Sequence, residues 1–113
     1  MSENLARVAC VQLQPAVGHA DRNLDRALEA VDGAASRGVE LLVLPELSTT
    51  GYAFQSAQEV REFAEPIDGP SVTALADASR NGPIIVAGIC ELGDQGEIYN
   101  SAVLLEDGQL RGS

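Results

Sequence analysis

The sequence contains no lysine and no tryptophan, and it has only two cysteines and one histidine. Its seven basic residues are therefore all arginines, set against 17 acidic residues, and the formal net charge is −10. This balance argues against nucleic acid or an anionic membrane surface as a partner, because both are polyanions. Two cysteines do not make a disulfide framework, and no Cys/His cluster has the spacing of metal ligands. We therefore expect no metal site.

Long apolar runs and phosphate-binding motifs are missing too. No apolar stretch approaches the ~20 residues that a membrane-spanning helix needs. No basic, apolar leader opens the chain. Gly-x-Gly-x-x-Gly and Walker patterns are also absent, so nothing supports nucleotide binding. These observations predict a cytoplasmic protein with no bound cofactor and no membrane partner.

What the chain does have is an alternation of apolar strands and amphipathic helices. Its 113 residues are 45% apolar and only 4% aromatic, which suits one small domain with an aliphatic α/β core. The pattern predicts strands at 7–13, 40–44, 84–90 and 97–105, a helix running from Leu24 to Ala35, and helices at 55–65 and 71–80. The helix between the first two strands predicts a right-handed crossover and a parallel pair.

Local residues refine these elements. Asp21 or Asn23 is a plausible cap for the first helix, and Gly38 is well placed to end it. The near-continuous apolar run at 7–13 predicts a strand that is covered on both faces. Cys10 and Cys90 lie within or at the end of apolar strands, and we expect both to be small buried hydrophobic residues.

The most informative stretch is the one from Leu41 to Tyr52. An apolar strand runs into Pro45, which has no backbone donor and cannot continue a central ladder. Glu46 then lies where the carboxyl end of a buried strand opens into a loop, and open α/β sheets bind their ligands along that rim. A lone glutamate at such a place is more often a solvated loop residue or a helix cap, so position alone leaves its role open.

This stretch resembles the first catalytic block of the nitrilase-type carbon–nitrogen hydrolases, in which an apolar strand, Leu-Pro-Glu, a few small or hydroxyl residues and Gly-Tyr follow one another. The resemblance continues in order through Val8–Leu13, through Asn23 and Ala27, and through the segments Ile84–Ile89 and Tyr99–Ala102. It implies an α/β fold, namely the N-terminal half of the nitrilase-type α-β-β-α sandwich. Residues 1–113 would then form a single partial domain, and the sandwich would be incomplete.

The resemblance also implies a function. Family members hydrolyse a non-peptide C–N bond, and the substrate would be a small-molecule amide, carbamoyl compound or nitrile. This chemistry uses a thiolate, a carboxylate and a lysine. Glu46 would be the carboxylate, acting first as base on the thiol and then as acid on departing ammonia. Tyr52 would line the substrate pocket, although packing on the loop explains an aromatic residue equally well. A homo-oligomer is expected.

The same comparison shows what the chain lacks. The family lysine would follow soon after Gly108–Ser113, and the nucleophilic cysteine and a second glutamate would lie further on. Cys90 is not that nucleophile, because a polar hairpin turn follows it rather than a helix N-terminus. We therefore expect a chain that is truncated before the lysine and cysteine motifs and is inactive alone.

Within the family, an amidase is favoured over a nitrilase. Three alternatives stay open: a non-catalytic interaction or dimerisation domain, a decayed relative, and a glutamine-amidohydrolase module within a longer parent chain. Reading on from Ser113 in the gene would discriminate between them.

Four other residues have mainly structural interpretations. Asn100 lies in a strand and could fix a turn or a pocket wall by hydrogen bonding. His19 is expected to be a solvated loop histidine. Glu91 enters a hairpin and is interpreted as a surface carboxylate. Gly51 is expected to adopt a φ that other residues avoid, which would keep the Glu46 loop tight.

Overall fold

The computed structural model describes residues 4–113, so the first three residues of the predicted 1–113 domain lie outside the described range. The helices and strands follow in the order β1 (Val8–Cys10), α1 (Ala20–Ser36), β2 (Leu41–Val43), α2 (Ala57–Phe63), α3 (Pro70–Ala78), β3 (Ile84–Leu92), β4 (Ile98–Glu106) and β5 (Gln109–Gly112). The strands form one sheet whose spatial order is the same as the chain order. The predicted α/β fold is confirmed.

The sheet is mixed. β1 pairs with β2 in parallel, and β2 pairs with β3 in parallel. The pairs β3–β4 and β4–β5 are antiparallel hairpins. Helix α1 makes the connection between β1 and β2, so the crossover and parallel pair predicted from the sequence are confirmed. The two parallel pairings bring the carboxyl ends of β1, β2 and β3 to the same edge of the sheet.

The hydrophobic core lies between one face of the sheet and helices α1 and α3. Its members share the alternation of a strand or the 3–4 residue spacing of a helix face, and they include Leu42, Ile85, Ala87, Val103 and Leu105 from the strands and Ala27, Val31, Val72 and Leu75 from the helices. Leu42, Leu75, Ile85 and Leu105 are fully buried. This aliphatic packing holds the strands in register beneath the two helices.

The opposite face of the sheet is partly exposed and apolar. Val8 exposes 54% of its surface and Leu104 exposes 41%, and Cys10 is exposed as well. Two predictions were therefore wrong: the first strand is not covered on both faces, and Cys10 is not buried. Alternation along β1 turns Ala9 towards the core and leaves Val8 and Cys10 on the other side. The predicted burial of Cys90 is confirmed.

Strand β1 is also shorter than predicted, with three residues in place of the seven from 7 to 13. Its partner β2 has only three residues itself. The backbone N–H of Val11 still donates to the carbonyl of Val43 at 3.0 Å. Beyond that contact the partner chain enters Pro45 and turns away, so residues 12 and 13 have no ladder to join.

Helix α1 differs from the prediction at its N-terminus and agrees with it at its C-terminus. His19 occupies the N-cap position and makes no side-chain cap, so neither Asp21 nor Asn23 is the cap. Gly38 adopts a φ of +70° just beyond the C-cap Arg37 and ends the helix as predicted. Two backbone bonds, Gly38 N–H to the Ala35 carbonyl and Val39 N–H to the Ala34 carbonyl, complete a Schellman motif there. Among the helices of residues 4–113, none is long and apolar enough to cross a membrane.

The exposed apolar face predicts that the 113-residue chain associates with itself in water, because contiguous apolar surface drives association. Replacing Leu104 by Glu puts a charge on that face and should raise the fraction of monomer. The matched change Leu5→Glu should leave association unchanged, because Leu5 is 78% exposed and lies outside the sheet. Sedimentation velocity over a range of concentrations measures both. A cooperative monomer at high concentration would contradict the prediction.

Candidate active site

Glu46 lies at the carboxyl end of β2, as the sequence predicted. The backbone N–H of Leu44 donates to the Val86 carbonyl at 2.8 Å and extends the pairing with β3 by one residue. The Pro45 carbonyl then accepts from the N–H of Gly88 at 3.2 Å. Residues 46–50 form a turn directly afterwards. The turn therefore begins while the chain is still hydrogen-bonded to the neighbouring strand.

This turn crosses β3 in very close contact at Gly88. A Cβ atom on residue 88 would lie 2.5 Å from the Glu46 Cα, 2.7 Å from the Leu47 nitrogen and 2.8 Å from the Pro45 oxygen. All three are backbone atoms, so no side chain could rotate away to make room. The Ser48 backbone N–H and the Ser48 hydroxyl both donate to the Gly88 carbonyl, at 2.8 and 2.9 Å. Gly88 thus fixes the backbone of Glu46 against β3.

Asn23 fixes the turn from the other side. Its Nδ2 donates to the carbonyls of Ala16 and Thr49 at 2.8 and 2.9 Å, and its Oδ1 accepts from the Ala16 N–H at 2.9 Å. The residue is only 2% exposed. The sequence suggested Asn23 as a cap, and its role in holding the turn was not predicted. Its spacing of four residues from buried Ala27 and eight from Val31 places it on the inner helix face, and a polar residue there needs internal partners.

Two residues of the segment have positive φ. Gly51 has a φ of +73°, which confirms the prediction, and a Cβ there would meet the Pro15 oxygen at 3.0 Å. Leu47 has a φ of +47°, in the left-handed region that leucine rarely adopts. The Gly51 N–H donates to the Leu47 carbonyl at 2.8 Å and closes the turn. The backbone strain next to Glu46 is therefore held in place by the contacts around it.

Both site residues that the sequence suggested, Glu46 and Tyr52, line one groove of about 640 Å³. The remaining lining comes from the segment after β1 and from the flanks of the turn, namely Val11, Gln12, Leu13, Gln14, Pro15, Pro45 and Ala53. Tyr52 is 74% exposed. Its ring is thus available to a ligand in the groove. The alternative interpretation, in which the ring packs on the loop, would require a buried ring.

Asn100 contacts the Glu46 carboxylate directly. Its Nδ2 donates to Glu46 Oε1 at 2.5 Å, across 54 residues of sequence. Asn100 lies in β4, two strands away from β2, and is the register partner of Cys90. From the sequence, Asn100 was expected to fix a turn or a pocket wall by hydrogen bonding, and its pairing with Glu46 was not predicted. Within residues 4–113, the two ion pairs found are Arg80–Asp77 and Arg111–Glu106, and neither includes Glu46.

Within residues 4–113, none of the other titratable residues that the sequence suggested forms a hydrogen bond with Glu46. Burial raises the pKa of the Cys90 thiol, which disfavours the thiolate that a nucleophile requires. Glu91 is half-buried and accepts from the Ser101 hydroxyl at 2.7 Å, so its interpretation as a surface carboxylate was wrong. His19 is exposed, as expected. Among residues 4–113, no group of three side chains is arranged to hold a metal ion.

The sequence and the fold of this chain were compared with those of known proteins, and the comparison shows which family the chain belongs to. Residues 7–113 match the family model described as carbon-nitrogen hydrolase. The chain belongs to the carbon-nitrogen hydrolase family. The resemblance drawn from the Leu-Pro-Glu block is thereby confirmed, and the residues of that block are the ones that form the turn over Gly88.

Individual proteins that are similar to this carbon-nitrogen hydrolase chain support the same family assignment. It is 41% identical over 103 residues to a nitrilase of Pyrococcus abyssi, covering 89% of the chain and 39% of the relative. It is 36% identical over 106 residues to omega-amidase NIT2 of Danio rerio, covering 92% of the chain and 37% of the relative. The crystal structure of Saccharomyces cerevisiae Nit3 superposes with a TM-score of 0.77 at 28% identity, covering 93% of the chain and 41% of that structure. The chain thus spans about two fifths of the length of each.

The close backbone contact at Gly88 predicts how a methyl group added at this position changes the free energy of unfolding. Gly88→Ala should lower the free energy of unfolding by about 1–3 kcal/mol, because the new Cβ meets only backbone atoms. Gly33→Ala is the matched control, since nothing lies within 4 Å of its Cβ position and it lies in α1. That change should raise the free energy of unfolding by about 0.5–1 kcal/mol. Urea unfolding at one fixed protein concentration measures both. Equal effects of the two changes would contradict the assignment.

Proposed function

We propose that this chain supplies the glutamate of a carbon-nitrogen hydrolase active site. Glu46 takes the proton from the attacking thiol and returns it to departing ammonia during hydrolysis of a non-peptide C–N bond. The observation that carries the proposal is the placement of Glu46 at the end of β2, on a groove of about 640 Å³ that Tyr52 also lines. The names of the relatives, nitrilase and omega-amidase, support the same class of reaction.

The geometry is suitable for proton transfer. A general base needs a carboxylate that reaches its substrate and is not neutralised by a permanent cation. Within residues 4–113, Glu46 is exposed and is in neither of the two ion pairs. One carboxylate oxygen accepts from Asn100, and within residues 4–113 no hydrogen bond engages the second, which can therefore move a proton. The sequence contains no lysine, and neither of its two cysteines lines the groove beside Glu46, so the thiolate and the stabilising cation are assigned to residues outside these 113.

The proposed substrate is a small-molecule amide, with a carbamoyl compound or a nitrile as alternatives. Tyr52 would contact it, because its exposed ring lines the same groove as Glu46. Gln12 and Gln14 also line the groove, and their amide groups can both donate and accept hydrogen bonds. A groove with these side chains suits a polar, uncharged carbonyl compound.

A second candidate function is a non-catalytic interaction domain that binds a further copy of itself. The exposed apolar face containing Val8 and Leu104 favours this alternative, because such a face is an association surface. The two functions are compatible, since a homo-oligomeric hydrolase would use both the face and the groove. They differ in what Glu46 must do, because the interaction domain does not require its carboxylate.

The 113-residue chain alone should release no ammonia from simple amides or nitriles, because it has no lysine and neither of its cysteines lines the groove beside Glu46. Ammonia release above background that Glu46→Gln abolishes would show that the catalytic set is misassigned. Cys90→Ser is the control. If ammonia is released and Cys90→Ser abolishes it, the thiol has the role that its burial argues against.

A chimera tests the proposed role of Glu46 directly. This chain would replace the matching 39% of the Pyrococcus abyssi nitrilase, which would then supply the rest of the fold. The chimera should release ammonia from members of an aliphatic amide and nitrile panel, and Glu46→Gln should lower its kcat by about 10²-fold or more. Glu91→Gln is the matched control, because Glu91 is a half-buried carboxylate held by Ser101. A folded chimera whose activity survives Glu46→Gln would rule out the proposed role.

A further inference from the structure

The contacts that hold the turn fix the backbone of Glu46 but not its side chain. Gly88 and Ser48 hold the main chain over β3, and Asn23 holds the carbonyl of Thr49. Three rotatable bonds still separate the Glu46 Cα from its carboxylate. A glutamate that is exposed and otherwise free would sample several rotamers, and only some would present an oxygen to a substrate in the groove. A base of this kind needs a second point of attachment.

Asn100 provides that attachment from a rigid element. It lies in the third position of β4, inside a hairpin whose eight register pairs run from Ile85–Leu105 to Leu92–Ile98. Its register partner Cys90 is two residues along β3 from Gly88, so Asn100 projects from the sheet face that the turn crosses. A slip of one residue in the hairpin would move Asn100 to the opposite face. Strand pairing therefore determines where its amide lies.

The amide group of Asn100 is chemically suited to orienting the Glu46 carboxylate. An asparagine amide donates a hydrogen bond to a carboxylate but has no charge and does not titrate. An arginine or lysine in its place would form an ion pair and hold the carboxylate in its ionised state. The amide fixes Oε1 and leaves Oε2 able to accept and release a proton. In this respect Asn100 differs from both ion-paired arginines, Arg80 and Arg111.

We infer that Asn100 is a positioning residue for Glu46. It holds one carboxylate oxygen so that the other faces the reacting proton. The inference rests on the proposed function, because the positioning matters to catalysis only if Glu46 is the base. Its structural part concerns the order of one side chain and can be measured without any activity.

The first measurement is made on the 113-residue chain. NMR relaxation of the ¹³C-labelled Glu46 side chain should report one ordered rotamer in the wild type. Asn100→Leu keeps the approximate size of the side chain and removes the donor without adding a charge, so the Glu46 side chain should become mobile, as it should in Asn100→Ala. Ser101→Ala is the matched control. It removes a hydrogen bond from the neighbouring residue of the same strand to a different carboxylate, Glu91, and should leave Glu46 ordered.

The second measurement uses the chimera with the Pyrococcus abyssi nitrilase. Asn100→Leu should lower kcat by about 10- to 100-fold, the range expected for a lost hydrogen bond to a charged group, with little change in KM. Ser101→Ala should change neither constant. A residue that only packed the pocket would tolerate Asn100→Leu, which keeps the approximate size of the side chain and adds no charge, and would fail only as Asn100→Ala.

The two measurements separate the two proposals. If the wild-type chimera folds but is inactive, the proposed function fails, while the relaxation data still decide whether Asn100 orders Glu46. A Glu46 side chain that is as ordered in Asn100→Leu as in the wild type would overturn the inference. So would a loss of order that leaves kcat unchanged. Loss of order together with a fall in kcat supports it.

Discussion

The structure depends on one close approach, in which the backbone of Pro45, Glu46 and Leu47 passes over a residue that has no Cβ. Every other feature of the site follows from it. Because the turn lies against Gly88, the Ser48 N–H and hydroxyl can reach the Gly88 carbonyl, and Glu46 lies on the sheet face to which Asn100 projects. A larger residue at position 88 would lift the turn and break these contacts together.

The turn is polar and buried at the same time, which makes its hydrogen bonds important. Ser48, Thr49 and Thr50 are each at most 2% exposed. Among the described residues, no buried side-chain nitrogen or oxygen lacks a hydrogen-bond partner. A fully satisfied polar network in a region of low dielectric has few alternative arrangements, because any shift would leave a group unpaired. The turn can therefore hold Leu47 at a positive φ that an isolated peptide would avoid.

The sequence predicted what short-range patterns determine. Solid apolar runs located β2 and β3, helical spacing located α1 and α3, and Gly38 and Gly51 marked points of positive φ. The errors at Cys10 and at the predicted cap have another origin. Whether an apolar strand face is covered depends on elements far along the chain, and alternation cannot show it. Asn23 is a residue type that often caps helices, but its side chain bonds the loop just before α1 and the distant turn at Thr49. No local sequence pattern indicates the contact between Asn100 and Glu46.

The hydrogen bonds that shape the site join residues far apart in sequence: 26 residues separate Asn23 from Thr49, 40 separate Ser48 from Gly88, and 54 separate Asn100 from Glu46. Each contact closes a long loop, and the entropy of that closure is lost before the contact can stabilise anything. The site should therefore form in one late step of folding, after the helices and the β3–β4 hairpin are in place. A chain in which β4 has separated from β3 has no complete site, because the Asn100 amide is then lost from Glu46.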